Sequence, residues 1–207
     1  MYQPPQFIAK DPQIALDVMR AYPFASLVSC DDDGLPFVTH LPLHLEQKGD
    51  EAVLWGHCAK PNPHWRYLQQ RPRALVTFMG PHAYLSPKVY PDLQRVPSWN
   101  YLAVHCTVEA RLVEEGEGKD ALLKLLIGDH EPAYAAQWRG LDAEYTRKML
   151  AGIVGFELRV TELQCKVKLN QHRPESHDAL HAAYRAGGEQ ERELAGWMER
   201  IGMVKEG

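Results

Sequence analysis

The sequence predicts an α+β protein, built mainly from an antiparallel β-sheet that closes, or nearly closes, into a barrel with flanking helices. Six or more short segments alternate apolar and polar residues in the manner of strands. Hairpin signals separate several of them, and few are joined by crossover helices, which argues against a doubly wound parallel sheet. The chain also lacks a glycine-rich phosphate loop of the dinucleotide-binding or P-loop kind.

The first half of the chain begins with a helix that should end near residue 22. Asp11 can accept backbone N–H groups, and Pro12 suits the first helical position because its missing donor costs nothing there. The run Asp31-Asp32-Asp33-Gly34 is typical of a hairpin turn. Asn62-Pro63 repeats the capped helix start. The elements predicted around these signals are strands over 24–29, 37–45 and 53–58 and a helix from 62 to about 72.

The second half returns to strands around a helical insertion. Over 101–114, apolar residues alternate with Glu109 and Arg111, so one face of this strand should be buried and the other wet. The elements predicted here are strands over 74–79, 83–86, 101–114, 153–160 and 165–169 and helices over 119–127, 133–138, 142–150, 176–185 and 190–204.

The chain is expected to divide at residue 175. Residues 1–175 would form the barrel domain with a helical insertion at 116–150, and residues 176–207 would form a pair of helices separated by Gly187-Gly188. The second helix carries an apolar stripe that could pack within its own subunit or against a second copy. This stripe consists of Leu194, Trp197, Met198 and Ile201.

Composition and charge limit the classes of function. The chain has 207 residues, 45% of them apolar, which is enough for a substantial core. The net charge is −4, so no overall positive field attracts nucleic acid or an anionic membrane. The four cysteines are widely separated, and neither a signal peptide nor a membrane-spanning apolar run is evident. We therefore expect a soluble cytoplasmic protein with reduced, buried thiols.

Ten histidines raise the question of a metal site. His40 and His44 lie on one side of a predicted strand but about 13 Å apart, since a strand rises about 3.3 Å per residue. Two ligands of one metal each lie about 2 Å from it. His177 and His181 are one helical turn apart, yet no third ligand is evident. No metal site is predicted, and the absence of Gly-x-Ser-x-Gly and His-Glu-x-x-His motifs disfavours ordinary hydrolase chemistry.

Three stretches carry candidate binding residues. Residues 80–87 and 96–105 alternate rings, amides and hydroxyls with apolar residues, as does a wall that packs on one side and contacts a flat polar ligand on the other. Lys60 lies where a strand ends and a helix begins, a place that suits a phosphate. Lys166 and Lys168 share a strand face, where they could meet a charged ligand or protect an edge strand from pairing.

A series of distinctive blocks runs through nearly the whole chain. They are Tyr2-Gln3-Pro4-Pro5, His40-Leu41-Pro42-Leu43, Gly56-His57 through Asn62-Pro63-His64-Trp65, Gly80-Pro81-His82-Ala83-Tyr84, Ser86-Pro87, Val96-Pro97-Ser98-Trp99-Asn100-Tyr101 with His105, Gly152-Ile153-Val154-Gly155-Phe156, and Lys168-Leu169 with Gln171 and Arg173. In this order the blocks resemble the PaiB-type family of FMN-binding negative transcriptional regulators. That resemblance implies the split β-barrel of pyridoxamine-phosphate-oxidase-like flavoproteins, with FMN bound across the interface of a homodimer.

The same resemblance implies which residues bind FMN. Lys60 would meet the phosphate. The strand before it would edge the flavin through Thr39, His40, Leu41 and Pro42. The central wall would contribute Ser86, Trp99, Asn100 and Tyr101. The site would be closed, from the same or the other subunit, by Lys168, Gln171 and Arg173.

Several functions follow as expectations. The resemblance implies a dimeric FMN-binding repressor in which flavin occupancy or redox state changes shape or partner choice. DNA enters only through the resemblance, directly or indirectly, because the sequence shows no helix-turn-helix with a basic recognition helix. Alternatives with the same fold are a flavin-dependent oxidoreductase and a haem-binding or haem-degrading protein with His57, His105 or His172 as axial ligand. A third alternative is a small-molecule or partner-binding module without a redox role.

Overall fold

Seven strands and seven α-helices make up the part of the chain that the computed structural model describes, residues 1–49, 51–92 and 94–205. The strands are β1 (Phe24–Cys30), β2 (Pro36–Pro42), β3 (His44–Lys48), β4 (Glu51–Ala59), β5 (Arg73–Leu85), β6 (Ser98–Val113) and β7 (Ile153–Lys168). The helices are α1 (Pro12–Ala21), α2 (His64–Gln70), α3 (Gly116–His130), α4 (Tyr134–Gly140), α5 (Ala143–Ala151), α6 (His177–Arg185) and α7 (Glu189–Arg200). Every helix predicted from the sequence is present.

The strands form one sheet in the order β2-β1-β5-β6-β7-β4-β3. β1 runs antiparallel to β2 and β5, and β4 runs antiparallel to β3 and β7. The predicted hairpin turn joins β1 to β2: the Asp31 carboxylate accepts the N–H groups of Asp33 and Leu35, and Gly34 adopts a φ of +79°. The expected α+β fold with a mainly antiparallel sheet is confirmed.

The predicted single strand over 37–45 is wrong, because the chain changes partner at Leu43. Leu43 donates its N–H to the Pro23 carbonyl at 3.0 Å, and Pro42 has no N–H to offer a ladder. Before this point β2 pairs with β1, and after it β3 pairs with β4. The continuous apolar pattern over 37–45 therefore spans the end of one strand and the start of the next.

Two interruptions between predicted strands, at 80–82 and at 161–164, are absent from the structure. β5 continues through Gly80-Pro81, and β7 continues through the polar stretch 161–164. β1 pairs with β5 only over Leu75 to Thr77, so the missing N–H of Pro81 removes no hydrogen bond from that pairing. The sequence marks proline as a breaker, but a strand tolerates it where no neighbour needs its N–H.

The chain forms two compact units. The first comprises residues 1–18, 79–104 and 164–207, and the second comprises residues 19–78 and 105–163. Completely buried side chains at the centre of the first unit include Leu102, Leu169, Leu180, Leu194 and Met198. Those of the second include Leu27, Leu54, Val76, Phe156 and Leu158. The division at residue 175 stays a prediction.

Three of the four residues of the predicted α7 stripe are buried in the first unit: Leu194 and Met198 fully, and Trp197 nearly so. The fourth, Ile201, follows α7 and is only partly buried. Cys58, Cys106 and Cys165 are buried as expected and form no disulfide, whereas Cys30 is exposed. In the described part of the chain, no helix is long and apolar enough to cross a membrane.

Candidate functional site

The twelve residues implied to bind FMN are distributed over both compact units. Five lie in the second unit: Thr39, His40, Leu41, Pro42 and Lys60. Seven lie in the first unit: Ser86, Trp99, Asn100, Tyr101, Lys168, Gln171 and Arg173.

In the second unit, Thr39, Asn62 and His64 form a hydrogen-bonded group that we call the Thr39 cluster. Asn62 donates its amide to Thr39 Oγ1 at 3.1 Å, and His64 Nδ1 lies 2.7 Å from the same oxygen. The backbone N–H of His64 donates to Asn62 Oδ1 at 3.0 Å. These bonds fix the loop that leaves β4 against β2. The sequence analysis gave Asn62 and His64 no part in the site, although both lie in a block that matches the family.

His64 is a neutral, buried imidazole. Its side chain is fully inaccessible, and burial lowers its pKa to about 4. The Phe37 ring meets it edge-on at 5.1 Å. Its Nε2 is buried without a hydrogen-bond partner among the described residues. A histidine that costs free energy to protonate here fits a positioning role for Thr39 better than a role as a charged ligand contact.

Lys60 follows β4 directly, and its main chain is held at both ends. Its N–H donates to the Gly152 carbonyl at 2.8 Å, and its carbonyl accepts the indole N–H of Trp65 at 3.0 Å. The side chain is exposed, and the described residues offer its ammonium no ion-pair partner. A fixed backbone with an available cation is what a phosphate contact requires.

The four predicted residues of β2 face in different directions. Thr39 is half-buried, and the exposed ring of His40 stacks on Phe24 with centroids 6.4 Å apart. Leu41 is 3% exposed and belongs to the core, so only its backbone is available to a ligand. Pro42 and Leu41 lie close to Gly56, where a built Cβ would approach the Pro42 oxygen and a Leu41 methyl group to 3.2 Å each.

In the first unit, an aromatic group lies on the exposed side of β5 and β6. Trp99 and Tyr84 are about half exposed, with ring centroids 6.1 Å apart and nearly perpendicular planes. His82 lies 6.5 Å from Trp99. We call His82, Tyr84 and Trp99 the aromatic face. Exposed rings of this kind can pack on a flat ligand or on another protein.

Asn100 points to the opposite side of β6 from Trp99 and is fully buried. Its amide donates to the Tyr184 hydroxyl at 3.0 Å, while its Oδ1 has no partner among the described residues. Burial raises the pKa of Tyr184 to about 12, although the bond from Asn100 acts in the other direction. The sequence gave no sign of the partner, because Tyr184 lies 84 residues further along the chain.

Lys166 and Lys168 lie against one ring, that of Tyr101. Their Nζ atoms are 5.4 Å and 5.9 Å from its centroid, within the range of cation–π attraction. Lys168 also donates to Ser98 Oγ at 2.6 Å. Burial lowers the pKa of Lys168, Tyr101 opposes this effect, and the neighbouring charge of Lys166 adds to it. The expectation that the two lysines share one strand face is confirmed.

A cleft of about 370 Å³ in the first unit brings together three of the predicted residues, Asn100, Lys168 and Arg173. Arg95 lines it as well, but its guanidinium is paired with Asp92 at 2.8 Å and with Glu175 at 3.4 Å. Lys168 and the exposed Arg173 therefore supply the cleft with positive charge. Ser86, also predicted, does not line the cleft, and its hydroxyl caps the short turn at Pro87–Val89.

Gln171 uses both ends of its side chain on the main chain of its own turn. Its Oε1 accepts the Leu169 N–H at 2.9 Å, and its Nε2 donates to the Val167 carbonyl at 2.6 Å. Next to it, Asn170 has a φ of +68° and bonds to Tyr90 and Ser176 through its side chain. In this structure both residues shape the turn that ends β7.

The three histidines considered for haem differ in surroundings. Burial lowers the pKa of His57, His105 and His172, so each is a neutral imidazole near pH 7. His57 Nδ1 is buried without a partner among the described residues. His172 is exposed, and its ring meets Phe7 at 5.4 Å. Over the described ranges, no three His, Cys, Asp or Glu side chains are grouped as metal ligands.

The chemical groups that these residues carry are of the types that flavin mononucleotide (FMN) requires. The first unit offers rings, two lysines, and a buried carbonyl oxygen of Asn100 that has no partner among the described residues. The second unit offers an exposed ammonium at Lys60 after a strand whose loop is held by the Thr39 cluster. FMN combines a flat ring that carries hydrogen-bonding groups with a phosphate, and these side chains match both parts.

Solved structures place the fold in the class of split β-barrel proteins. The flavocytochrome Anf3 from Azotobacter vinelandii superposes with a TM-score of 0.61 and 19% identity, over 78% of this chain and 69% of that one. The FAD and haem binding protein from Mycobacterium smegmatis superposes with a TM-score of 0.58 and 20% identity, over 77% and 72% of the two chains. Identities this low establish the fold alone.

Sequence comparison then gives the family. The family described as "Putative FMN-binding domain" matches residues 1–162. The Bacillus subtilis "Protease synthase and sporulation protein PAI 2" is 34% identical over 177 residues, which cover 85% of this chain and 84% of that protein. The chain therefore belongs to this FMN-binding family, of the PaiB type that its motifs resemble, and FMN is the family's cofactor.

Proposed function

We propose that this protein is a homodimeric, flavin-dependent regulator, in which bound FMN changes the shape or the partner of the dimer. The observation that carries the proposal is the set of cations in the motifs that match the family. Lys60 is available to a phosphate, and Lys168 lies beside Tyr101 and lines a cleft. In a chain of net charge −4, these local cations favour an anionic ligand.

Each residue group has a distinct role in this proposal. Lys60 would bind the phosphate, while the Thr39 cluster holds its loop in place. The aromatic face and Tyr101 would pack against the ring, and Lys168 would stabilise negative charge on it. Bound FMN supplies reversible one- and two-electron redox chemistry. The protein's own groups bind and orient it, and Ser98, which accepts the hydrogen bond of Lys168, keeps that lysine in place.

Fluorescence titration with FMN tests the part of Lys168. We expect Lys168→Met to weaken FMN binding about tenfold, because a charge-assisted contact contributes roughly 1.5–3 kcal/mol. Lys10→Met removes an exposed charge outside the predicted site and should leave the affinity unchanged. Equal affinities for all three proteins would remove Lys168 from the site.

The homodimer is proposed from apolar residues left exposed on strands. In the first unit, Met79, Tyr84 and Trp99 are about half exposed. In the second unit, Phe24 is 68% exposed and Val38 45% exposed. Exposed apolar side chains grouped on a surface mark interaction sites in soluble proteins. A second copy of the chain is the partner that the family resemblance implies.

Regulation through DNA is proposed from the family resemblance. Salt dependence decides it, because phosphate contacts release counterions and lose affinity steeply as salt rises. We expect filter retention of mixed-sequence duplex DNA to be salt-sensitive and to change when FMN is added. No retention at low salt would exclude direct DNA contact and leave a protein partner as the target of regulation.

A haem-binding enzyme is the second candidate, and the unpartnered His57 Nδ1 favours it. A neutral imidazole is the usual proximal haem ligand, and burial holds His57 in that form. Titration with haemin should then produce a Soret band that His57→Ala abolishes. A spectrum of free haemin in both proteins would exclude this candidate.

A further inference from the structure

The helical insertion borders a solvent-open cavity of about 850 Å³ that lies wholly in the second unit. Side chains of α3, α4 and α5 line it, together with Lys60 after β4 and Glu114 after β6. Of the residues implied to bind FMN, only Lys60 reaches it. Its volume falls within the roughly 300–1,000 Å³ typical of small-molecule sites.

The lining of this insertion cavity is strongly basic. Five of its residues carry positive charge and two carry negative charge. One of the two acids, Asp120, is already engaged: it accepts the indole N–H of Trp138 at 2.8 Å and pairs with Lys124 at 2.6 Å. Burial raises the pKa of Asp120, but these two contacts outweigh it and hold the pKa below its ordinary value. The net charge facing the cavity is therefore positive.

Lys119 is the buried cation of this group. Its side chain donates one hydrogen bond, to the Leu150 carbonyl at 3.1 Å, and an ammonium has three protons to donate. Burial lowers its pKa, the charge of Lys60 lowers it further, and Glu114 acts in the other direction. Glu114 offsets part of the cost of this buried ammonium, and an anion bound in the cavity would offset more of it.

The first turn of α3, which precedes Lys119, packs closely on the sheet. A Cβ built on Gly118 would lie 2.7 Å from a Val113 methyl group, so α3 approaches the end of β6 closely there. A Cβ on Gly155 would meet Val113 at 3.0 Å and Leu122 at 3.2 Å. These contacts hold the start of α3, and with it Lys119, against the sheet.

We propose that the insertion cavity binds a small molecule carrying two or more phosphate or carboxylate groups. Lys119 would hold one anionic group at the floor. Arg139 on α4 and Arg147 on α5 are exposed at its rim, where their planar guanidinium groups suit bidentate contacts with a second group. This site shares Lys60 with the proposed FMN site and is otherwise built from the insertion and Glu114, which would give the insertion a binding function.

Isothermal titration with two probes, pyrophosphate and citrate, tests this site at matched ionic strength. We expect saturable binding of one probe molecule per chain. Arg147→Gln and Lys119→Met should each weaken it about tenfold, the effect of losing one charge-assisted contact. Lys148→Met removes a neighbouring exposed charge of α5 that is paired with Glu144, and it should bind like the wild type. Preference for pyrophosphate or citrate identifies phosphate or carboxylate as the ligand group.

Three results would overturn the proposal. The first is no saturable binding of either probe, and the second is an equal loss in Lys148→Met, which would indicate surface charge alone. The third is displacement of the probe by FMN, which would make the cavity the phosphate pocket of the flavin site. Because Lys119 is buried, circular dichroism must show that Lys119→Met is folded; Arg147 is exposed, and its variant keeps the test valid in any case.

Discussion

The His64 side chain helps to fix the loop after β4, where Lys60 is predicted to contact the phosphate. Its ring lies 2.7 Å from the Thr39 hydroxyl, which also accepts a bond from Asn62. Since Asn62 donates to Thr39, the hydroxyl can give its own proton to His64 Nδ1, which places the imidazole proton on Nε2. The cluster therefore depends on His64 remaining neutral.

The pH dependence of stability tests this state. Burial depresses the pKa of His64 from 6.5 to about 4 in the folded protein. Between pH 6.5 and 4 the unfolded chain therefore binds a proton at this histidine that the folded chain does not bind. The stabilisation from the neutral imidazole is complete above pH 6.5 and is lost as pH falls from 6.5 towards 4. Between pH 7.5 and 5.0 we expect this group to remove about 2 kcal/mol from the free energy of unfolding.

Urea unfolding at those two pH values measures the effect. His64→Gln should lose this part of the pH dependence, whereas His130→Gln, which changes an exposed histidine at the end of α3, should keep it. A His64→Gln protein with the pH dependence of the wild type would show that His64 is not held neutral by the fold.

At the scale of the elements, local signals predicted the helices and the β1–β2 hairpin, because caps, prolines and turn residues act over a few positions. The break at Leu43 was missed because it depends on Pro23, twenty residues away. The same distinction holds for the site. Lys60 and the lysine pair of β7 could be recognised by type and position, whereas the contacts of Asn62, His64 and Tyr184 depend on distant partners.

Gly56 explains how β4 can lie so near the break between β2 and β3. A Cβ there would lie 2.5 Å from a methyl group of Leu43, which is buried, and 3.2 Å from the Pro42 oxygen. We expect Gly56→Ala to lower the free energy of unfolding by roughly 1–3 kcal/mol through overpacking.

Gly128 offers the matched control, because it lies within α3 and has nothing within 4 Å of a built Cβ. Gly128→Ala should raise the free energy of unfolding by about 0.5–1 kcal/mol. Chemical denaturation of both variants measures the contrast. Equal stability of the two variants would mean that the close approach at Gly56 is absent in solution.

At the scale of the whole molecule, the proposed function combines the cofactor of the family, FMN, with a regulatory dimer. Fold class and family follow from the antiparallel sheet and the matching motifs. The homodimer remains a proposal that the aromatic face makes testable. Trp99 and Tyr84 are 54% and 49% exposed, and neighbouring exposed rings of this kind are typical of interaction surfaces.

Sedimentation velocity decides the oligomeric state. We expect the wild-type protein to sediment as a dimer and Trp99→Glu to shift towards a monomer, because a charge buried at an interface is costly. Tyr145→Glu places the same charge at an exposed ring on α5, outside the sheet, and should remain dimeric. A monomeric wild-type protein, with or without FMN, would contradict the proposed dimer.

The central claim is that this chain binds FMN through the motifs it shares with its family, and an absorbance titration with FMN tests it most directly. We predict saturable flavin bands at one FMN per chain. Lys60→Met should weaken binding about tenfold, while Lys148→Met should bind like the wild type. The absence of saturable flavin binding to the wild-type protein would contradict the account and leave a split barrel that serves a different ligand.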